Sequence, residues 1–449
     1  MAQYRAIFKN AYFKGIATAL VLTAGLAAGQ AQAAYEEAKS DYFGLAITSG
    51  VSLNSGAIST NPSGSWTNQS TGSLLNNKYH LAGKVGETSA SGGTLNVTYD
   101  NSVLGSVLGG IVVSTSNIGS LSATHNTLNI KDDTNAVNLG ESAYGAYVNA
   151  SAGGDVFASD NTIDIGGNVS IGTNLSNLSD ANDKASQGVF GVRIKTTDGN
   201  ARAENNHVII TSSGNTFAIG SPDENGIIGA LAEGTDTVVV TGNTVKITEN
   251  AQNRQLSLKN VDTIRGGFAV NQTTNQADNA SILTARDNGV DLTNVKLGVD
   301  DSGAWVMGGV AMNQSGGAGT YSALNNTVKL TGSAISYGGT TANGDLQIIG
   351  NAALAQKSGV ADQDVIANGD GSTTTLEISN STISMLNSVE TNGLTPVAIV
   401  GGFAETISGD ATASQNIVKI SDTDITNINH SRSNKESPIK PDFYQLLAI

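Results

Sequence analysis

The chain has 449 residues, 54 of them glycine, with no cysteine, five prolines, 5% aromatics, 14% charged residues and a net charge of −15. Asn, Ser and Thr stand where charged residues usually do, which excludes a compact enzyme built around one large core, and the regularly spaced Val, Ile and Leu exclude a disordered chain. The acidic balance excludes a basic nucleic-acid groove, and the lack of cysteine excludes disulfides, thiol nucleophiles and thiolate metal sites.

Residues 1–33 read as a secretory signal peptide. Arg5, Lys9 and Lys14 form a basic start, 15–28 is an apolar run, and Ala31-Gln32-Ala33 is a small-residue cleavage site. The apolar run is shorter than the roughly 20 residues of a membrane span. Cleavage after Ala33 leaves 20 basic residues against 38 acidic ones, a net charge of −18. Residues 34–104 are expected to form an N-terminal cap and irregular first coils. Within them "AYEEAKSDYFG" at 34–44 suits a short capping helix or an unstructured lead, and "TLNVTYD" at 94–100 alternates loosely.

Residues 105–428 form a repeat array. Asn126 in "THNTLNI" recurs as Asn161, Asn206, Asn243, Asn288, Asn326 and Asn416, at steps of 35, 45, 37, 45, 38 and 90. The last step spans one degenerate copy near "TTLEISNSTIS" at 374–384. A second motif leads each copy: "GGIVV" at 109, "GAYV" at 145, "GVRI" at 191, "GALA" at 229, "GGFAV" at 266, "GGVAM" at 308 and "GGFAE" at 401. Two motifs in fixed order at such a period mark a solenoid. In 326–330 Val328 and Leu330 share one strand face while Thr327 and Lys329 share the other, a period of two. Such a strand buries its face only by stacking on the next copy. The expected unit is about two coils of a parallel β-helix per repeat.

The asparagine is expected to turn the chain into the strand through its tolerance of left-handed backbone, and to stack on its copies in an amide ladder. The glycine pairs are expected at another corner, where positive φ or close backbone approach is required. Insertions at 172–187 and 250–262 are expected to project as loops. Residues 429–449 read as a disordered tail, or as the end of a truncated chain.

The spaced "GGFA…NxVxI" pattern over residues 105–428 resembles the passenger regions of autotransporters, the type V secreted proteins of Gram-negative bacteria. The long aromatic start (Tyr4, Phe8, Tyr12, Phe13) is similar to their extended signal peptides. The resemblance implies a right-handed β-helix, exported to the extracellular or outer-membrane surface, and used for adhesion, aggregation or host and matrix contact. Its implied partners are a surface protein, a glycan or a second copy, with no nucleic acid. It also implies a C-terminal membrane barrel, which this sequence departs from: "NHSRSNKESPIKPDFYQLLAI" has no ten-residue alternating strands. The outer membrane is therefore reached only through a missing or separate barrel.

No chemistry-bearing constellation accompanies the repeats. His80, His125, His207 and His430 lie far apart, and His207 stands at a threonine position expected to face outward. Asp132/Asp133, Asp300/Asp301, Asp362/Asp364 and Asp422/Asp424 are the remaining acidic pairs, and they read as solvated faces rather than cation sites. Arg193 and Lys195 share a strand face, with Arg202 near and no paired acids at the same phase. No catalytic residue, cofactor or metal ligand is assigned. The alternative is a polysaccharide lyase or glycosidase on the same scaffold, which needs carboxylates clustered across neighbouring coils.

Overall fold

The computed structural model describes residues 65–67, 84–86, 89–92, 94–97 and most of 107–429. The signal-peptide, 34–44, 172–187 and tail readings lie outside the described residues. Among these residues every regular element is a strand, and neighbouring strands in each sheet pair in parallel. One coil shows the plan. Ala304–Asn313 lies on the first face, Gly319–Leu324 on the second, Thr327–Thr331 on the third and Ala334–Tyr337 on the fourth. The first and second faces are nine-stranded sheets. The third and fourth join into one sheet through two long strands, Thr127–Leu139 and Thr162–Ile171. The molecule is a parallel β-helix.

Each repeat is one coil, not two. Thr162 pairs with His207, His207 with Thr244, Thr244 with Gly289 and Gly289 with Thr327, one repeat per step. The two motifs fall on different faces of the same turn, so four short strands use up the whole repeat. The degenerate copy is a full member: Thr374–Ser379 stacks between Thr327–Thr331 and Ile417–Ser421. The expected loop at 250–262 is corrected in its second half. Leu256–Lys259 is a fourth-face strand, with Leu256, Leu258 and Val261 buried. Its period of two, Leu256 and Leu258 against Ser257 and Lys259, is that of a strand.

The asparagine ladder is present, but the turn is made one residue earlier. His125, Asp160, Asn205, Asp287, Asn325 and Gln415, each directly before a ladder asparagine, have φ between 51° and 56°. Gly242 takes that position before Asn243. The ladder asparagine then points inward, and Asn126, Asn161, Asn206, Asn243 and Asn326 are fully buried. The Nδ2 of each donates to the Oδ1 of the next at 2.8–2.9 Å, from Asn126 through Asn161, Asn206, Asn243 and Asn288 to Asn326. Each Oδ1 also accepts the backbone N–H of the asparagine one coil before, as from Asn243 to Asn288 at 3.0 Å. Each Nδ2 also donates to a second-face carbonyl, as from Asn288 to Val240 at 3.1 Å. A buried amide left unpaired costs about 1–3 kcal/mol, so this double use of both ends is what lets a polar column occupy the interior.

The glycine pairs sit inside first-face strands rather than at a corner, and none of them has positive φ. They serve close approach. A Cβ on Gly308 would lie 2.6 Å from the Gly350 carbonyl oxygen of the following coil and 2.9 Å from the Thr327 nitrogen across the coil. A Cβ on Gly267 would lie 2.5 Å from the Asn288 side-chain carbon. First face and asparagine corner thus touch across the interior and pinch the coil at a waist. The core divides there into two columns. One is rich in Ile, Leu and Val (Ile264, Val290, Leu292, Leu297, Val306), the other in Ala (Ala269, Leu283, Ala285, Ala311, Ala323).

One coil keeps the waist with its parts exchanged. In register, Gly309 pairs with Asn351 and Asn351 with Gly402, while the corner asparagine is replaced by buried Thr375. Asn351 reaches in from the first face and continues the ladder, accepting from Asn326 Nδ2 at 2.8 Å and donating to Asn416 Oδ1 at 2.8 Å.

Three outcomes follow from the waist. Asn288→Ala is expected to lower stability by about 2–4 kcal/mol, because it strands buried groups on both neighbouring coils; urea midpoints measure it. Gly308→Ala is expected to cost about 2–3 kcal/mol, whereas Gly226→Ala, whose nearest neighbour is 3.5 Å away, is expected to stay close to the parent. Asn351→Gly and Thr375→Asn are each expected to destabilise, while the double exchange recovers most of the loss, a coupling of about 1 kcal/mol or more in a double-mutant cycle.

Candidate functional site

On the three faces other than the first, buried positions alternate with more exposed ones, as in Thr237–Thr241 and Thr327–Thr331. On the third face Lys246, Asp291, Lys329, Glu377 and Lys419 stack in register as a column of alternating sign. Opposite charges on adjacent strands attract, and Lys329 and Glu377 approach to 3.9 Å. His207 stands in the adjoining column between Thr162 and Thr244, outward and half-buried, with Nδ1 2.8 Å from Thr244 Oγ1. Burial lowers its pKa against the attraction of Asp160.

The first face departs from this rule. Ala304–Asn313 and Leu346–Ala355 are buried at every position. Val306 and Ala311 belong to the interior columns, so the residues on either side of each, Trp305, Met307, Val310 and Met312, lie on the outer side. The same side carries Tyr144, Phe190, Ile228 and Arg265 in one register row, and Tyr147, Arg193, Leu231 and Phe268 in the next. Strands buried on both sides read as near-continuous apolar runs, which is how "AWVMGGVAMN" reads.

Charge is built into this layer. Glu233 sits in register with Lys195 of the preceding coil. Its carboxylate accepts from Arg193 Nη2 and from Lys195 Nζ, each at 2.9 Å. Burial acts to raise the Glu233 pKa, but the attraction of Lys195 and Arg193 and their hydrogen bonds outweigh it, leaving it below its ordinary value. Burial likewise works against charge on Arg193, and Glu233 reverses the effect, so its pKa is raised. Desolvation raises the Tyr147 pKa against the pull of Arg193. Tyr144 stacks on Phe190 with ring centroids 5.0 Å apart. Arg265 lies 4.7 Å above the Phe268 ring and 5.9 Å from that of Trp305. Burial lowers its pKa, and the two ring faces offset part of that penalty.

The register brings one acid, Glu233, to the phase of Arg193 and Lys195. Glu233 belongs to the next coil, in "GALAE", and aligning that motif with "GVRIK" on their glycines brings Lys195 over Glu233. The other candidates do not converge. His125 is exposed at its corner, 3.7 Å from Asp160. Arg202 pairs with Glu204 on the second face. Asp364 is exposed there as well, Asp422 occupies a left-handed corner, and Asp424 opens the last fourth-face strand. His80, His430, Asp300, Asp301 and Asp362 lie outside the described residues. Among the described residues no group of three or more His, Asp or Glu could hold a metal ion. Glu233, held ionised between two cations, is tuned away from the near-neutral pKa that general acid–base work requires.

The fold and this layer define the class, a parallel β-helix with a two-sided first sheet. No protein-family profile, curated protein or solved structure matches the chain.

Glu233→Ala is expected to cost about 3–5 kcal/mol, because it leaves Arg193 buried with its carboxylate partner gone. The parent should also lose stability on acidification. A carboxyl with a depressed folded pKa contributes fully above its unfolded value near 4.3 and loses that contribution as pH falls through the folded value. Urea midpoints between pH 2 and pH 7 should show this acid-side fall, and Glu233→Gln should flatten it.

Proposed function

We propose that the chain is an exported, non-catalytic passenger of the autotransporter kind, displayed at a Gram-negative cell surface for adhesion or aggregation. The observation that supports this reading best is the division of labour within each coil. A recurrent interior of asparagine, glycine and mostly aliphatic residues carries an exterior that changes from coil to coil. One outward second-face column, for example, runs Phe157, Arg202, Val239, Thr284, Ser322 and Ile366. A rigid scaffold with a variable surface suits recognition spread over several coils better than a single reactive pocket. The net charge keeps the surface soluble and favours basic or cation-bridged partners. The partner classes in this reading are a surface protein, a glycan or a second copy of the chain.

The test is retention of purified protein on cells, matrix proteins and glycan arrays, run beside an assay for new reducing ends or unsaturated products from acidic and neutral polysaccharides. Retention without turnover is the expected result. Product formation would overturn the reading in favour of a polysaccharide-active enzyme. Deleting residues 263–303, one whole coil, should leave a folded solenoid whose melting temperature falls by only a few degrees. Loss of retention in that variant would map the binding surface to the deleted coil.

A further inference from the structure

Among the asparagines at the ladder corner, Asn288 alone is followed by glycine; Thr127, Thr162, His207, Thr244, Thr327 and Ile417 follow the others. The backbone does not demand glycine at 289. Its φ is not positive, and it pairs in register with Thr244 and Thr327. The nearest atom to a Cβ there would be Thr327 Oγ1 at 3.1 Å, the end of a side chain that can turn. We propose that Asn288-Gly289 is a modification site gated by folding: the ladder protects Asn288 from deamidation, and unfolding exposes it to a reaction that removes the chain from the refolding pool.

Deamidation begins when the backbone nitrogen of residue 289 attacks the side-chain Cγ of Asn288. That nitrogen gives up its proton, the Cγ–Nδ2 bond breaks, and ammonia leaves carrying the proton, so that a succinimide ring forms. Water then opens the ring to aspartate or isoaspartate. A following glycine speeds the attack, because no Cβ hinders the approach. In the fold every reacting atom is held. Asn288 is 1% exposed. Its Nδ2 donates to Asn326 Oδ1 at 2.8 Å and to the Val240 carbonyl at 3.1 Å. Its Oδ1 accepts from Asn243 Nδ2 at 2.9 Å and from the Asn243 backbone N–H at 3.0 Å. The Gly289 N–H donates to the Asn243 carbonyl at 2.9 Å. Attack requires that last bond to break and the amide to leave its column, and unfolding does both at once. Neither product suits the ladder. Aspartate has no donor for Asn326 Oδ1 or the Val240 carbonyl, and isoaspartate adds a carbon to the main chain just where register is set. Chemical change in the unfolded chain thus makes unfolding irreversible. This protection is independent of any adhesive role.

The test holds the full chain at mildly alkaline pH, folded in buffer or unfolded in urea, and follows the amide-to-acid mass gain at Asn288 by peptide mass spectrometry. Deamidation at Asn288 is expected to run at least tenfold slower in the folded chain. The urea samples are then diluted, and molecules that regain protease resistance are separated from those that do not. The refolded pool should carry at least fivefold less modified Asn288 than the remainder, a comparison that other Asn-Gly pairs in the chain do not confound. Gly289→Ala, which returns a Cβ to the attacking residue, should slow the reaction in urea at least tenfold. Equal rates in folded and unfolded chains would overturn the proposal. So would equal modification of Asn288 in the two pools.

Discussion

The structure depends on one repeated hydrogen bond, the amide of one asparagine donating to the amide of the next. It works because each coil returns its asparagine to the same place, one strand spacing along the axis. There Nδ2 finds both the next Oδ1 and a second-face carbonyl, and Oδ1 receives a side-chain and a backbone donor. Every polar atom of the column is used, so burying it carries no desolvation debt. A coil that slipped by one residue would strand several such groups at once. The ladder thus specifies register more sharply than the aliphatic residues around it.

The glycine pairs answer the asparagine. For the ladder to lie inside the coil, the first face must approach the corner until backbone meets backbone, which no side chain at Gly266 or Gly308 would allow. The resulting waist splits the core into an aliphatic column and an alanine-rich one, each narrow enough to fill with small or branched residues. The exchanged pair Asn351 and Thr375 shows that geometry, not position in the sequence, is what each coil keeps. The amide enters from the opposite wall and the ladder runs on.

The outer side of the first face follows a different logic. Aromatic and methionine side chains cover it, and Glu233 is shared within the layer by Arg193 and Lys195. Surface character belongs to the other faces, with their threonines, alternating charges and changing residues.

Much of this was written in the sequence. The period-two strands, the parallel stack, the ladder and even the degenerate coil are legible, because burial in a solenoid imposes the same residue at the same phase in every turn. Other features belong only to the tertiary structure. That one repeat makes one coil depends on which faces the two motifs occupy. The left-handed residue precedes the asparagine because the inward amide must itself remain in extended backbone. The glycines lie mid-strand because their constraint comes from a chain segment across the coil, invisible to local pattern. Glu233 meets Lys195 only through a register 38 residues long, set by coil length rather than by any local motif. Sequence by itself determined what repeats; the closing of each coil decided what touches.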